Sequence, residues 1–266
     1  MPELPEVETI KRYLQPYLTG KKFSQVEVLD PKAGRTPTVA EFGRRLLGQE
    51  IQEVGRRGKY LFCRLQGQSL IFHLRMTGIL LQAETDGRAR ARFRFHDGSW
   101  LTFADRRRLG GIWLVEDEAA VLGQLGPEPL DEAFTPQVLA EGLRKRAVPI
   151  KALLIDQGFL AGVGNMYADE ALFMAQIHPV KPGRDLSPEE TGRLYLALHQ
   201  VLTAGIKSQG ASVDTYLLPN GQPGRAHLAF KVAHHKGKRC PRCTTPIERL
   251  PIRGRGSYFC PICQKV

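Results

Sequence analysis

The chain has 266 residues, which is enough for one large domain or two modest ones with a sizeable core. Its formal net charge of +11 predicts a polyanionic partner, either nucleic acid or an anionic membrane. No apolar run reaches the ~18 residues of a membrane-spanning helix, and the first residues lack the basic region and apolar segment of a signal peptide. We therefore expect a cytoplasmic, nucleoid-associated protein with no membrane partner.

The chain begins with a proline at position 2, and Glu3 follows it. Removal of Met1 would leave Pro2 with a secondary amine that titrates near pH ~8, well below the ~10.4 of a lysine side chain. Such an amine condenses with aldehyde-type carbons to an iminium ion, which is the electron sink that covalent catalysis needs. The alternative is that Pro2 and Pro5 only stiffen the start of a helix, since proline suits that position.

Residues 5–18 have apolar side chains at helical spacing, and Gly20 ends this predicted helix. Short runs with β character follow at 26–29, 51–54, 60–65, 69–74, 79–83, 91–96, 100–103 and 111–115. About eight short strands joined by tight turns predict an antiparallel sandwich or barrel. We place this domain, with its N-terminal helix, at residues 1–120.

Beyond this domain the apolar pattern becomes helical. Residues 121–130 form a linker by their proline and glycine content, and Asn165 is expected to cap one of the helices. The helices are expected at 136–146, 150–157, 165–175 and 188–207. We place a helical domain at 131–230, and its last part, 210–230, is rich in glycine and proline and predicts a mobile loop rather than a packed element.

Four of the five cysteines form two CxxC pairs near the end of the chain, with sixteen residues between the pairs. Four thiolates from two such knuckles supply the tetrahedral geometry that zinc prefers. One structural zinc ion is expected on these ligands: Cys240, Cys243, Cys260 and Cys263. The alternative, a redox pair, would leave a module of this size, 231–266, without a core. Arg255 lies between the knuckles and suits a phosphate.

Three further stretches indicate contact with DNA. The glycine turn at 162–164 runs into a predicted helix, so its backbone amides and the helix dipole face an anion, and Lys151 can close on the same phosphate. Most glycine-rich turns bind nothing, which is the alternative. Lys59 follows two arginines at the mouth of a strand, and Leu109 follows three arginines. A solvated charge is the usual fate of such residues, but an apolar residue in a basic turn is typical of a wedge that unstacks a duplex.

Together these motifs resemble the formamidopyrimidine-DNA glycosylase family, bacterial repair enzymes for oxidised purines, and the resemblance covers the whole chain. It is carried by residues 1–9, 57–61, 73–76, 162–165 and the four-cysteine finger. The resemblance implies an α+β fold: an N-terminal antiparallel β-sandwich with an N-terminal helix, a helix-two-turns-helix domain and a C-terminal zinc finger with a β-hairpin. It also implies a monomer that acts on double-stranded DNA containing oxidised bases or abasic sites.

The activity that the resemblance implies is that of a bifunctional DNA glycosylase and abasic-site lyase of base excision repair. Pro2 would be the Schiff-base nucleophile, and Glu3 would protonate the ring oxygen of the deoxyribose. Lys59 would be the acid-base group in β-elimination, and Arg255 would grip the lesion phosphate and assist δ-elimination. The residues expected to contact DNA are Arg90, Arg107, Arg146, Lys151, Asn165, Met76 and Leu109.

Within this set, Met76, Arg107 and Leu109 would fill the gap left by the extruded base, with 210–230 as the lid over that base. Leu109 departs from the family, which usually has phenylalanine there, and Arg90 stands where histidine is common.

Two alternatives stay open from the sequence. An endonuclease VIII-like enzyme would prefer oxidised pyrimidines, although Leu4 favours the formamidopyrimidine branch. A non-enzymatic zinc-ribbon protein would bind nucleic acid through its basic surface alone, but it would leave Pro2, Glu3 and Lys59 unexplained.

Overall fold

The computed structural model describes residues 1–85 and 87–265, and the chain forms two compact units. The first unit contains Met1–Gly123 and Ile206–His227, and the second contains Gln124–Gly205 and Leu228–Val266. The domain boundaries expected from the sequence stay predictions, but by its contacts Ile206–His227 groups with the N-terminal residues. In the described residues, every helix is too short or too polar to cross a membrane.

Helix α1 (Leu4–Leu18) begins the first unit. Its N-terminus is a capping box in which the backbone N–H of Glu3 donates to the Glu6 carboxylate at 2.7 Å. The apolar face of α1 is buried in the core: Leu4, Val7, Ile10, Leu14 and Leu18. This face fixes the first residues of the chain against the sheets, as the helical spacing predicted.

Two sheets form the rest of the first unit in the described residues. An antiparallel sheet has the strand order β1 (Phe23–Val28), β7 (Ala89–Phe95), β8 (Trp100–Asp105) and β6 (Gly78–Leu81). The second sheet has the order β2 (Gly34–Thr36), β9 (Gly111–Val115), β5 (Ser69–His73), β4 (Tyr60–Arg64) and β3 (Glu53–Arg57). Two short helices accompany them, α2 (Val39–Leu46) and α3 (Ala119–Leu122).

One hydrophobic core receives side chains from both sheets, and Phe72 packs edge-on against Phe93 and Phe103 at ring-centroid distances of 5.9 and 6.3 Å. The predicted sandwich with its N-terminal helix is therefore confirmed. Tyr216 and Leu218 belong to the same core, so the expectation that 210–230 is not a packed element is wrong. The backbone of this segment is irregular, as its glycines and prolines indicate, but two of its apolar side chains are packed in the core.

The second unit is helical and ends in a two-stranded hairpin. Its elements are α4 (Pro136–Leu143), α5 (Ile150–Leu154), α6 (Asn165–Ala175), α7 (Pro188–Lys207), β10 (Glu248–Ile252) and β11 (Arg255–Phe259), although the last two residues of α7 group with the first unit. Helices α4 and α5 end three residues earlier than predicted. Asn165 is the first residue of α6 and not its cap, because Gly164 holds the extended cap position and no side chain caps the helix. In contrast, α7 begins with a capping box, in which the Ser187 hydroxyl accepts from the backbone N–H of Glu190 and the Glu190 carboxylate accepts from the backbone N–H of Ser187.

Candidate active site

Pro2 and Glu3 lie buried at the N-terminal end of α1, whereas Met1 is 37% exposed. The carboxylate of Glu6, which is fully buried, fixes this position: one oxygen accepts from the backbone N–H of Glu3 and the other from that of Ala211 at 2.8 Å. Glu6 therefore ties the start of the chain to the segment Ile206–His227. Sequence reasoning missed this residue, because the signature of a capping box has Ser, Thr, Asp or Asn at the cap position and this chain has Glu3 there.

The hydroxyl of Tyr216 strengthens the same connection. It lies 3.1 Å from the carbonyl oxygen of Gln209 and 3.4 Å from that of Glu6. Burial, and then the charge of Glu6, raise the pKa of Tyr216, so the hydroxyl stays a proton donor. Gly210 has φ +77°, and a Cβ there would lie 2.9 Å from atoms of both Glu6 and Tyr216. Only glycine permits this close approach.

Lys59 lies in the turn between β3 and β4 and is 4% exposed. Its neighbour Tyr60 pairs with His73 on β5, and the two rings are 4.4 Å apart. Burial, and then the charges of Arg75 and Lys59, lower the pKa of His73 to about 3. His73 is therefore neutral at physiological pH, with the proton on Nε2, because Nδ1 accepts from the backbone N–H of Arg75.

Two neighbouring turns carry the predicted wedge residues, and we call residues 75–77 and 106–110 the wedge turns. Met76 is half-buried in the first turn, and Arg107 and Leu109 are exposed in the second. Leu109 is 42% exposed. The wedge turns are joined because the backbone N–H of Arg107 donates to the Thr77 hydroxyl at 3.1 Å.

Two arginines on or near the wedge turns, Arg108 and Arg90, donate hydrogen bonds to other groups of the protein, and Arg107 is exposed. Arg108 forms a bidentate pair with Asp30, with both N–O distances 2.7 Å, and this pair lowers the pKa of Asp30. The Nε of Arg90 donates to the backbone carbonyl of Asp105 at 2.8 Å, so this guanidinium binds the residue that directly precedes the second wedge turn. The predicted contact of Arg90 with DNA stays a prediction, as does that of the exposed Arg107.

In the second unit, Lys151 is completely buried. Its ammonium donates to the backbone carbonyl of Asn165 at 2.6 Å and to the carboxylate of Asp169. Burial raises the pKa of Asp169 to about 7, against the opposing charge of Lys151. The structure places Lys151 behind the glycine turn, where it fixes the start of α6, and its predicted contact with a phosphate stays a prediction.

Asn165 links this turn to the hairpin. Its Nδ2 donates to the carbonyl of Gly256 at 2.8 Å, while its Oδ1 is buried and accepts no hydrogen bond from the described residues. Arg255 is exposed on the same hairpin, and Arg146 is exposed after the end of α4. The second unit therefore holds Lys151, Asn165, Arg146 and Arg255 together with the four cysteines, and the first holds the other predicted site residues.

The four cysteines of the predicted finger lie together, with all four sulfurs within 4.8 Å of one another. The Sγ–Sγ distances are 3.8 Å for Cys240–Cys263 and 3.4 Å for Cys243–Cys260. A tetrahedral zinc ion with Zn–S bonds of about 2.3 Å requires sulfurs roughly 3.8 Å apart, so these residues fit the metal. All four ligands are protein thiolates, and the zinc is structural. Cys63 lies elsewhere, and burial raises the pKa of its thiol to about 12.

Comparison with known proteins gives matches along the whole chain. Residues 1–112 match the model of the formamidopyrimidine-DNA glycosylase N-terminal domain, residues 125–216 the H2TH domain of that family, and residues 237–266 the zinc finger found in FPG and IleRS. A formamidopyrimidine-DNA glycosylase of Pelotomaculum thermopropionicum is 46% identical over 275 residues, which cover 100% of each chain.

Solved structures are similar over the same length. The MutM (FPG) protein of Thermus thermophilus has a TM-score of 0.90 at 42% identity, covering 99% of this chain and 98% of that chain. A Lactococcus lactis FPG mutant, solved with a Fapy-dG containing DNA, has a TM-score of 0.93 at 33% identity and covers 100% of both chains. These matches confirm the resemblance that the sequence motifs indicated.

Proposed function

The chain belongs to the formamidopyrimidine-DNA glycosylase family, and from this premise we propose how its own residues remove an oxidised purine from DNA. It is a DNA glycosylase and abasic-site lyase of base excision repair. The observation that carries the residue assignment is the buried Pro2-Glu3 pair, held at the start of α1 by the Glu6 carboxylate. The charge of +11 supports a location on DNA in the cytoplasm.

The first step is base removal. After loss of Met1, the neutral amine of Pro2 attacks C1′ of the damaged nucleotide, and the bond from C1′ to the base breaks. Glu3 delivers a proton to the ring oxygen of the deoxyribose, which opens the sugar, and the amine loses its proton to become an iminium ion. The base leaves with the electron pair of the broken bond and takes up a proton.

Strand cleavage follows because the iminium ion acidifies the protons on C2′. Lys59 acts as the acid-base group for loss of a C2′ proton and departure of the 3′ phosphate. A second elimination releases the 5′ phosphate, and Arg255 supports it by binding the lesion phosphate. The zinc ion takes no part in these steps, because four thiolates fill its coordination sphere and its contribution is to hold the hairpin of Arg255.

Duplex opening is assigned to the wedge turns. Extruding a base costs a few kcal/mol of lost pairing and stacking. We propose that Met76, Arg107 and Leu109 occupy the resulting gap and offset part of that cost. Asn165 is proposed to bind the DNA backbone from the start of α6, where the helix dipole favours an anion.

Borohydride trapping tests the assignment. The full-length protein is incubated with abasic duplex DNA and borohydride, and the modified residue is mapped by mass spectrometry. We expect a covalent adduct at Pro2. An adduct at a lysine, or none, would overturn the assignment of the nucleophile. Excision measured in competition between formamidopyrimidine and oxidised-pyrimidine duplexes then tests the substrate class, and we expect the purine lesion to be preferred.

A further inference from the structure

Asp105, the last residue of β8, has a carboxylate that none of these steps uses. It is 1% exposed and accepts four hydrogen bonds. Its Oδ1 accepts from the Thr77 hydroxyl at 2.5 Å and from the backbone N–H of Arg107 at 3.1 Å. Its Oδ2 accepts from the backbone N–H groups of Leu109 at 2.8 Å and Gly110 at 2.7 Å. One side chain therefore satisfies donors from both wedge turns.

An amide could not replace this carboxylate, because in either orientation its NH2 group would face at least one of these backbone N–H groups. Hydrogen bonds to a charged acceptor are also stronger than neutral ones, and burial protects them from water. The backbone accommodates this arrangement closely. A Cβ on Gly110 would lie 2.7 Å from the Phe103 ring and 3.2 Å from Oδ2 of Asp105.

The same interactions define the direction of the wedge side chains. Arg107 and Leu109 are bound to Asp105 through their backbone, so their side chains stay exposed while the main chain is fixed. Thr77 follows Met76 directly, and its hydroxyl both donates to Asp105 and accepts from Arg107 N–H. One carboxylate and one hydroxyl therefore join the two wedge turns directly.

We propose that Asp105 and Thr77 are positioning residues for duplex opening, which hold Met76, Arg107 and Leu109 at a fixed spacing before DNA binds. This inference rests on the proposed role of those three side chains in filling the gap. Fixing the spacing in advance removes the entropic cost of ordering two turns at the moment when the base leaves the stack. It predicts an effect on lesion extrusion and none on the bond-breaking steps.

The test compares two substrates in single-turnover kinetics, a duplex with a paired oxidised purine and a single strand with a preformed abasic site. Thr77→Val removes the hydroxyl at nearly constant volume, and we expect duplex excision to slow on the order of tenfold, the effect of a lost hydrogen bond of about 1.4 kcal/mol. Cleavage of the abasic strand should change less than about twofold. Thr77→Ser restores the hydroxyl and should recover the duplex rate.

Thr102→Val is the matched control. Thr102 is also fully buried on β8, and its hydroxyl donates to the carbonyl of Ala83, away from both wedge turns. This variant should leave the ratio of the two rates unchanged. Asp105→Asn should lower that ratio further than Thr77→Val, because the amide places a donor against backbone N–H groups. If Asp105→Asn does not fold, the Thr77 pair decides alone.

A second readout follows the opening itself. A 2-aminopurine base placed beside the lesion becomes fluorescent when it loses its stacking partner, and we expect this signal to rise more slowly in Thr77→Val than in the wild type. The inference is overturned if Thr77→Val slows both substrates alike, or neither, or if Thr102→Val has the same effect. Failure of borohydride trapping in the wild type would instead overturn the proposed nucleophile, so the two failures are distinguishable.

Discussion

The wedge turns and the hairpin of the zinc finger solve the same structural problem in different ways. Both expose arginines on short turns that contain left-handed backbone, at Arg108 (φ 57°) in the first unit and at Arg253 (φ 45°) and Gly254 (φ 73°) in the second. The backbone of the hairpin turn is paired within the hairpin itself, Ile252 with Arg255, but in both regions a second structure holds the turn in place. In the wedge turns that structure is the buried carboxylate of Asp105 on a large core. In the hairpin it is a metal with four thiolates.

The difference follows from the size of the hydrophobic core on which each turn is built. Strand β8 belongs to a nine-strand sandwich in the described residues, whose aromatic core is large enough to bury a charged group without loss of order. The finger has a small apolar cluster made of Phe173, Val232, Ile247 and the cysteines themselves. A module of this size rarely folds without a metal or a disulfide. Removing either support should therefore have very different consequences.

The largest effect is expected from Cys243→Ser, which removes a zinc ligand. We expect the finger to lose its metal and its order, since structural zinc contributes roughly 10–16 kcal/mol to folding of small fingers. DNA affinity should fall by at least about a hundredfold, while the helices α4–α7 keep their circular dichroism. Zinc is measured by chelator release and affinity by fluorescence anisotropy. Cys63→Ala, which removes a buried thiol from the sandwich, is the control and should keep zinc. Stoichiometric zinc in Cys243→Ser would contradict the view that the metal holds the hairpin in place.

Glu3→Gln changes the proposed general acid and leaves both the wedge turns and the hairpin intact, so it is the reference for variants in either region. Loss of the acid should slow removal of an oxidised purine by ~10²–10⁴-fold, the usual contribution of a general acid. A preformed abasic aldehyde needs less proton delivery, so its cleavage should be slowed much less. The measurement is the pair of single-turnover rates on the two substrates. Equal losses on both would show that Glu3 only positions Pro2.

Much of the sandwich was predictable because alternation of apolar and polar residues is local information. The eight predicted strands all appear, with ends within a few residues of those observed. Strand β2 was missed because it has three residues, pairs in parallel with β9 and has no apolar alternation. Helix α2 was missed although Thr38 and Glu41 form a capping box that its sequence displays.

The buried residues that hold the site in place were much harder to predict than the exposed residues that we expect to contact DNA. The sequence shows Asp105 only as the start of a charged run, since its partners are backbone N–H groups that no residue type reveals. Lys151 was predicted as a phosphate contact because a glycine turn that runs into a helix presents backbone amides to an anion, and this contact stays a prediction. The sequence did not show that the ammonium of Lys151 donates to the buried carboxylate of Asp169. Tyr216 begins a three-residue apolar run in a glycine- and proline-rich segment, and the sequence does not show its contact with Glu6, which lies far away in the chain.

A pH titration of stability separates the two regions further, through His73 beside the wedge turns. The pKa of His73 is about 3 in the folded chain and ~6.5 in the unfolded chain. Between these two pH values the unfolded chain binds a proton at His73 and the folded chain does not. Stability from this group is complete above pH ~6.5 and falls as the pH drops below it, by about 1.4 kcal/mol per pH unit. Urea unfolding of the sandwich between pH 7 and 5 measures this slope.

His73→Gln should flatten that slope, because glutamine does not titrate in this range. His178→Gln is the control, since burial also lowers the pKa of His178 but this histidine lies in the second unit, against Phe259. It should leave the unfolding of the sandwich unchanged. A slope that His73→Gln does not alter would show that His73 is not held neutral in the fold.

The smallest effect is expected at Leu109, because the wedge turns keep their backbone bonds whatever side chain they carry. Leu109→Ala should slow removal of a paired oxidised purine about tenfold, since the lost side chain replaced part of the stacking, which is worth a few kcal/mol per step. Cleavage of a preformed abasic site should scarcely change. Leu109→Phe should be tolerated, because a flat ring can stack where leucine cannot.

Arg107→Ala is the contrasting variant in the same turn. It should weaken binding to all duplexes and lower the salt dependence by about one unit of slope for each phosphate that the variant no longer binds, whereas Leu109→Ala should leave the salt dependence unchanged. The two variants thus separate an apolar contribution, which acts on opening, from an ionic one, which acts on binding. If Leu109→Ala slows duplex and abasic substrates alike, Leu109 only packs its turn, and the comparison with the hairpin reduces to two ways of presenting arginine.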